Sequence, residues 1–219
     1  MNGIFVTGTG TEVGKTVVAA AIARTVAVGG RRVAVFKPAV TGLEDPGVPD
    51  HELLRRAAGS AQSDEEIAPY RYAPPASPHL AAELAGEKID PGRLREAAAA
   101  AGRNADFLVC EGVGGLLVPL SPGYLVRDLA ADLGLPLAIA ASPGLGTINH
   151  TLLTIEAARV AGLTVSMVVL TPWPESSGRL EESNREAIAE IGGVRVESLP
   201  RIDLADPSSW PAVGSFFVK

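Results

Sequence analysis

The chain of 219 residues is 47% hydrophobic and carries a formal net charge of −6 at pH 7. This length and hydrophobic content suit one well-buried domain, so we expect residues 1–219 to form a single unit. No basic run exceeds the pair Arg31-Arg32, which argues against nucleic-acid binding, and no apolar run approaches the roughly 18 residues of a membrane span. With no leader-like segment evident, we expect a cytoplasmic protein without nucleic-acid or membrane partners.

Short apolar runs alternate with longer alanine- and leucine-rich runs along the whole chain. This alternation predicts an α/β fold in which helices cover both faces of a mainly parallel sheet. The apolar runs lack a period of two, as expected of strands that are buried on both faces. The six predicted strands are Ile4–Val6, Val33–Phe36, Phe107–Cys110, Leu137–Ala141, Val165–Leu170 and Val194–Ser198.

A glycine-rich loop follows the first predicted strand and leads into a helical run over Val17–Arg24. The loop reads Gly8-Thr9-Gly10-Thr11-Glu12-Val13-Gly14-Lys15-Thr16, a variant of the Walker A phosphate-binding motif (P-loop) that is one residue longer than the standard pattern. Its glycines let backbone N–H groups converge on phosphate oxygens, Lys15 supplies a cation for the terminal phosphates, and Thr16 offers a hydroxyl to Mg²⁺. The sequence therefore predicts a P-loop fold that binds a nucleoside triphosphate.

A lysine ends the second predicted strand, beside the expected position of the phosphate-binding loop. Lys37 could neutralise charge on transferring phosphoryl oxygens or hold a substrate anion, and Thr41 could donate a hydroxyl hydrogen bond to the same ligand. A solvated lysine at the end of a strand is the alternative interpretation.

Two carboxylates are candidates for a magnesium site. Glu111 follows the third predicted strand and precedes a glycine-rich stretch containing Gly114, which would let the backbone approach a ligand closely. Asp50 could supply the second carboxylate, or it could cap a helix predicted for Glu52–Ala58. The two roles of Asp50 are compatible with each other.

A glycine-containing turn at Pro143–His150 precedes a helix predicted for Thr151–Ala161. The free N–H groups at such a helix start attract anions. Asn149 or His150 could act as a catalytic base, although a hydrogen-bonded structural histidine is the simpler interpretation.

Five segments of the chain resemble, in order, the signature blocks of dethiobiotin synthetases. They are Gly8–Thr16, Lys37–Gly42, Ala76–Ala82, Glu111–Pro119 and Leu145–Thr151. The resemblance implies a homodimeric ligase of biotin biosynthesis. Such an enzyme closes the ureido ring of dethiobiotin from 7,8-diaminopelargonic acid, CO₂ and a nucleoside triphosphate, with ATP as the family's co-substrate and Mg²⁺ as its metal ion.

The resemblance also implies roles for individual residues. The implied catalytic residues are Lys37, Lys15 and Thr11, and those implied for Mg²⁺ are Thr16, Asp50 and Glu111. The implied nucleotide-binding set is Gly8, Thr9, Gly10, Thr11, Glu12, Val13, Gly14, Lys15, Thr16, Glu111, Gly114, Thr171, Pro172, Pro200, Arg201 and Ile202. The implied substrate-binding set is Thr11, Lys37, Thr41, Gly146, Thr147, Ile148, Asn149 and His150, of which Gly146 to His150 would come from the other subunit.

The chain departs from the family pattern where the base of the nucleotide would bind. Thr171-Pro172-Trp173-Pro174 stands where many members carry an Asn-Asp or similar base-reading pair. We therefore expect loose selection among nucleotide bases, because few hydrogen bonds remain to discriminate them.

Two other P-loop classes are alternatives. Cobyrinic-acid-type synthetases generally carry a glutaminase domain with a nucleophilic cysteine, for which 219 residues and the single Cys110 leave no room. Partitioning and assembly ATPases act as nucleotide switches and carry a signature lysine early in the loop, where this chain has Gly10. Both alternatives are therefore disfavoured.

Overall fold

The computed structural model describes residues 1–44 and 46–215. Residue 45, in the loop at 42–50, and residues 216–219, at the end of the expected single domain, lie outside the described residues. The strands of the main sheet are β1 (Gly3–Gly8), β2 (Val33–Phe36), β3 (Phe107–Gly115), β6 (Leu137–Ala141), β7 (Val165–Trp173) and β8 (Arg195–Pro200). Between β3 and β6, β4 (Pro119–Ser121) and β5 (Tyr124–Leu125) form a separate antiparallel pair.

The main sheet is parallel throughout, in the order β2-β3-β1-β6-β7-β8. The helices are α1 (Lys15–Val28), α2 (Asp50–Ala58), α3 (Asp64–Ile67), α4 (Pro78–Leu84), α5 (Pro91–Arg103), α6 (Val126–Leu133), α7 (Thr147–Val160) and α8 (Arg179–Gly192). Helices α1 and α2 pack on one face of the sheet, and α4 to α8 supply apolar side chains to the other. The predicted α/β architecture is therefore confirmed.

All six predicted strands are present, and four of them are longer than predicted: β1 and β7 by three residues each, β3 by five, and β8, which starts one residue later than predicted, by one. Strand β3 runs on to Gly115, which pairs with Gly8 of β1, and β7 runs on to Trp173, which pairs with Pro200. These extensions carry polar and glycine residues into the sheet, so the apolar pattern alone could not mark them. The β4–β5 hairpin was not predicted.

The three helices predicted from the sequence all start earlier in the structure, and α1 begins at Lys15 rather than Val17. Helix α2 begins at Asp50, with Pro49 in the capping position and no side-chain capping bond, so Asp50 is not the N-cap of this helix. Helix α7 begins at Thr147 rather than Thr151, because Gly146 adopts a left-handed conformation (φ 88°) that starts the helix earlier. Residues 147–150 are therefore the first turn of α7 and not part of the preceding turn.

The outer edge of β2 is held by the loop that follows α2. The Val35 N–H donates to Gln62 Oε1 (2.8 Å), and Gln62 Nε2 donates to the Val35 carbonyl (3.1 Å). The Lys37 N–H in turn donates to the Ile67 carbonyl (2.8 Å). These bonds satisfy backbone groups that would otherwise lack partners at the sheet edge, and they fix the direction in which the chain leaves β2 at Lys37.

The segment after residue 203 packs against α1. Trp210 is 8% exposed and belongs to the apolar core between the sheet and helices α1 and α2. Its Nε1 donates to the Asp203 carbonyl (2.6 Å). The Val213 N–H donates to Thr25 Oγ1 in α1 (3.0 Å). This segment therefore braces the helix that carries Lys15 and Thr16.

We expect the substitution Gln62→Met to lower the free energy of unfolding by about 1–3 kcal/mol, because it leaves the N–H and carbonyl of buried Val35 without partners. Urea unfolding measures the change. Glu65→Gln is the control, since the exposed pair of Glu65 with Arg93 contributes little to stability. Equal stability of Gln62→Met and wild type would show that this edge does not depend on the Gln62 amide.

Candidate active site

The predicted phosphate-binding loop connects β1 to α1 at the carboxyl edge of the sheet. Its last glycine, Gly14, has a left-handed conformation (φ 81°) and occupies the N-cap position of α1. No side chain caps the first turn of α1, so its N–H groups are available to an anion. Lys15 folds back over the loop, and its Nζ donates to the Gly10 carbonyl (2.8 Å).

Gly14 lies directly against the end of β7. A Cβ atom built on Gly14 would come within 2.6 Å of Thr171 Cγ2, and Thr171 itself is buried. The close approach and the positive φ both require glycine at this position. The loop is therefore held in contact with the segment in which the sequence predicts base recognition.

Lys37, Asp50, Glu111 and Thr16 converge in a single polar cluster beside the loop. Lys37 Nζ lies 2.7 Å from Glu111 Oε1 and 2.7 Å from Asp50 Oδ2. Thr16 Oγ1 lies within hydrogen-bond distance of Asp50 Oδ1 (3.0 Å) and Glu111 Oε1 (2.8 Å). Lys37 is 3% exposed, so the interpretation of a solvated strand-end lysine is wrong.

The charges in this cluster are strongly coupled. Burial alone would lower the pKa of Lys37. The negative charges and hydrogen bonds of Glu111 and Asp50 outweigh this effect of burial, so that the pKa of Lys37 is raised. Burial raises the pKa of Glu111, whereas the charge and hydrogen bond of Lys37 overcome burial at Asp50 and lower the pKa of Asp50. Burial lowers the pKa of Lys15. Lys37 therefore keeps its proton, and Glu111 is the carboxylate that more strongly resists ionisation.

The oxygens of this cluster fit a magnesium ion. Octahedral Mg²⁺ with ligands at 2.0–2.1 Å places neighbouring ligand oxygens about 2.9 Å apart, close to the distances from Thr16 Oγ1 to Asp50 Oδ1 and Glu111 Oε1. Glu111 Oε2 is buried and has no hydrogen-bond partner among the described residues. In the described part of the chain, no group of three or more His, Cys, Asp or Glu side chains is arranged to hold a metal. A mixed set of two carboxylates and one hydroxyl suits an ion that retains water or binds phosphate.

An active-site cleft of about 390 Å³ opens onto this cluster. It brings together most of the residues predicted for catalysis, metal binding and phosphate binding, namely Thr11, Glu12, Gly14, Lys15, Thr16, Lys37, Thr41, Asp50, Glu111 and Gly114. Ala39 and Val113, which the sequence analysis did not single out, supply apolar lining. These residues come from the loop between β1 and α1, the first turns of α1 and α2, the segment after β2 and the second half of β3, which meet at one edge of the sheet.

The residues at the start of α7 lie outside the lining of this cleft. His150 lines a second cleft of about 240 Å³ with Gly8 and Thr9, so it lies near the opening of the loop. Thr147 is buried, Ile148 packs against the same apolar cluster as Trp173, and Asn149 is exposed. Gly146 is exposed, and its carbonyl accepts from the His150 N–H (3.2 Å). The predicted role of these residues in substrate binding stays a prediction.

The other residues predicted to recognise the base lie at the ends of β7 and β8. Pro172 is exposed and follows buried Thr171, while Pro200 pairs with Trp173 across the sheet. Arg201 is exposed, and Ile202 packs against the core beside α1. Their contact with a base stays a prediction.

Sequence reasoning missed a residue that holds the turn before α7. Asn184 of α8 is buried, and its Nδ2 donates to the carbonyls of Pro143 (2.9 Å) and Gly144 (3.2 Å). A single asparagine within a helical sequence carries no signal for such a long-range contact. Asn184 positions the start of α7 without touching either cleft.

The parallel sheet, the loop between β1 and α1, and the lysine–carboxylate cluster define a P-loop nucleotide-binding protein. A family model described as an AAA domain matches residues 2–209. The ATP-dependent dethiobiotin synthetase BioD of Anaeromyxobacter dehalogenans strain 2CP-C is 45% identical over 170 residues, covering 78% of this chain and 76% of the relative. The enzyme of the same name from Bacillus cereus strain ATCC 14579 is 40% identical over 200 residues, covering 91% of this chain and 83% of the relative. The chain belongs to the family of ATP-dependent dethiobiotin synthetases, and it is accordingly an ATP-dependent ligase of biotin biosynthesis.

Solved structures show the same fold at low sequence identity. The septum site-determining protein MinD of Pyrococcus horikoshii superposes with a TM-score of 0.54 at 17% identity, covering 91% of this chain and 81% of that one. A chain of the MinC:MinD cell division protein complex of Aquifex aeolicus superposes with a TM-score of 0.55 at 15% identity, covering 92% of this chain and 82% of that one. None of the helices in the described part of the chain combines the length and apolar character of a membrane span.

We expect Gly14→Ala to weaken ATP binding by at least about tenfold, because alanine is strained at this φ and its methyl group meets Thr171. Calorimetric titration with ATP measures the affinity. Gly144→Ala is the matched control, since a Cβ at Gly144 has no neighbour within 4 Å and Gly144 lines neither cleft. Adding Thr171→Ser to Gly14→Ala removes the clashing methyl group and should restore part of the affinity. A double variant no better than Gly14→Ala would contradict the role of this contact.

Proposed function

We propose that the protein joins 7,8-diaminopelargonic acid and CO₂ at the active-site cleft, at the expense of a nucleoside triphosphate, to close the ureido ring of dethiobiotin. The observation that carries this proposal is the convergence of two lysines with Asp50, Glu111 and Thr16 in one cleft beside the phosphate-binding loop. Membership of the dethiobiotin synthetase family supports the same reaction.

The proposed reaction has three steps. An amine of the substrate adds to CO₂ and loses a proton, which gives a carbamate. A carbamate oxygen is too poor a leaving group for the second amine to displace, so phosphoryl transfer from the triphosphate converts it to a mixed carbamic-phosphoric anhydride and releases the diphosphate. The second amine then attacks the carbonyl carbon, the ring closes and phosphate leaves. This last step is fast because both reacting groups belong to one bound molecule.

The two lysines have separate roles in this scheme. Lys15, on the loop, faces the terminal phosphates, and its present partner is only a neutral carbonyl that an anion can replace. Lys37, at the end of β2, stabilises negative charge on the carbamate and on the transferring phosphoryl group. Thr11 and Thr41 line the same cleft and can donate hydroxyl hydrogen bonds to those oxygens.

Thr16, Asp50 and Glu111 are the residues that would hold Mg²⁺. When bound, the ion would neutralise charge on the phosphate oxygens and orient the triphosphate. Thr16 contributes through its position in the first turn of α1, Asp50 through the first residue of α2, and Glu111 through the buried part of β3.

We further propose that the active enzyme is a cytoplasmic homodimer in which the start of α7 binds the substrate's carboxylate at the partner's cleft. Large apolar side chains are exposed around this helix start: Leu145 is 93% exposed, Leu153 55% and Leu117 56%. Leu117 and Leu153 line the cleft that also contains His150 and the first residues of the loop. A second copy of the chain would remove this apolar surface from water and bring the helix start to a neighbouring site.

The test of the proposed function is phosphate release that requires both 7,8-diaminopelargonic acid and bicarbonate. Mass spectrometry of the product should show one dethiobiotin per phosphate released. Hydrolysis of ATP at the same rate without the diamine, or hydrolysis stimulated only by DNA or a protein partner, would contradict the proposal and favour a nucleotide switch.

We expect Lys37→Ala and Lys15→Ala each to reduce turnover by about 10²–10³, because each removes a fixed cation directed at developing negative charge. Lys88→Ala is the matched control, since Lys88 is exposed and lines neither the active-site cleft nor the cleft at His150. Circular dichroism establishes that the variants are folded. A folded variant that retained more than about a tenth of wild-type turnover would exclude that lysine from the chemistry.

Mixing Lys15→Ala with Gly146→Val should restore about a quarter of wild-type activity if the site is shared between subunits. Half of randomly exchanged dimers are mixed, and each mixed dimer has one site in which both halves are intact. A mixture of Lys15→Ala with Lys37→Ala is the control, because both residues belong to the cleft of one chain and no intact site can form. Activity in neither mixture, or a monomer in sedimentation at assay concentration, would contradict the shared site.

A further inference from the structure

Lys37 contacts the same carboxylates that would bind the metal ion. Its Nζ lies 2.7 Å from Glu111 Oε1, the atom that also accepts from Thr16, and 2.7 Å from Asp50 Oδ2. One ammonium group is therefore shared by the two carboxylates of the cluster. Lys37 is 3% exposed and Glu111 is fully buried, so little water screens the charges at this point.

A divalent cation on these oxygens would stand beside the ammonium group of Lys37. The two positive charges repel each other, and both compete for the same negative oxygens. We propose that Lys37 is an internal competitor of Mg²⁺, so that metal binding releases the Lys37 ammonium from Glu111 and Asp50 toward the substrate. The inference rests on the proposed function of this cleft, and it assigns Lys37 a role in metal affinity in addition to its role in catalysis.

The space available to the released side chain lies within the active-site cleft. Lys37, Thr11 and Thr41 line one continuous volume of about 390 Å³ with the phosphate-binding loop. An anion bound there attracts the ammonium and lowers its competition for the carboxylates. By thermodynamic reciprocity, the metal and the anion then strengthen each other's binding. The cluster thus favours exposure of the Lys37 charge when both the metal and an anionic ligand are present.

Lys15 provides an internal comparison because it lies in the same cleft but has a different partner. Its Nζ donates to the Gly10 carbonyl and makes no ion pair of 4.0 Å or less with a carboxylate among the described residues. Removal of Lys15 changes the charge of the cleft by the same amount without freeing a metal ligand. Comparing the metal affinity of variants at Lys37 and Lys15 therefore distinguishes direct competition for the carboxylates from a general effect of charge in the cleft.

The first experiment titrates Mn²⁺, a paramagnetic substitute for Mg²⁺, into the protein without nucleotide and measures free Mn²⁺ by electron paramagnetic resonance. We expect Lys37→Met to bind Mn²⁺ at least about tenfold more tightly than wild type, and Lys15→Met to change the affinity by much less. Unchanged or weaker binding by Lys37→Met, or an equal increase in both variants, would overturn the proposal. Absence of measurable binding to Lys37→Met would do so as well.

A second measurement uses the wild-type protein, so that it does not depend on the folding of a variant. Lysines are labelled briefly with acetic anhydride at matched ionic strength, with and without saturating Mg²⁺, and the modified sites are quantified by mass spectrometry. We expect Mg²⁺ to increase acetylation of Lys37 at least about threefold and to leave that of exposed Lys88 unchanged. Equal or slower acetylation of Lys37 would overturn the proposal.

These experiments involve neither the diamine nor turnover. Failure of the synthetase assay with tighter Mn²⁺ binding by Lys37→Met would reject the proposed reaction but retain the competition. If the synthetase assay succeeds but Lys37 does not respond to the metal, the proposed reaction is retained and the competition between Lys37 and Mg²⁺ is rejected.

Discussion

A buried ammonium held between two carboxylates is the constraint on which the functional part of this structure depends. Lys37 comes from the end of β2, Glu111 from β3 and Asp50 from the start of α2. Loss of Lys37 would leave the two carboxylates facing each other without a cation, which is far more costly than loss of a surface ion pair. The cluster therefore couples the positions of two adjacent strands and a helix to the chemistry at their ends. The hydrogen bonds of Thr16 extend this coupling to α1 and the phosphate-binding loop.

Much of this fold could be predicted because its strands are buried on both faces. Continuous apolar runs mark such strands, and the rule that parallel strands present ligands at their carboxyl ends then placed Lys37 and Glu111 near the loop. The errors arose where local sequence does not determine the boundary. Asp50 resembles an N-cap residue, but its side chain is drawn to Lys37 and Thr16, and Pro49 precedes the helix instead. Residues 147–150 resemble a turn, yet the left-handed Gly146 allows α7 to begin before them.

The sequence predicted which residues gather at this edge of the sheet but not how they pair. The motif predicted that Lys15 faces phosphate, whereas its bond to the Gly10 carbonyl depends on the path of the loop. Likewise, Gln62 and Asn184 are ordinary polar residues in the sequence, and their roles follow from contacts made far along the chain. Such contacts arise from tertiary packing, which a single sequence does not encode in any local pattern. The residues predicted at the ends of β7, β8 and α7 depend on the same kind of long-range geometry.

The Gln62 amide at the sheet edge has a consequence for how the protein behaves at high concentration. An exposed parallel edge strand presents backbone donors and acceptors that can template a strand from another molecule. At Val35 both groups are already taken by a side chain that imitates the hydrogen bonding of a neighbouring strand. The apolar sequence Val-Ala-Val-Phe of β2 has no charged side chain or proline of its own to block such pairing. In the folded protein, one carboxamide thus leaves Val35 no free backbone group with which the strand before Lys37 could pair with a second molecule.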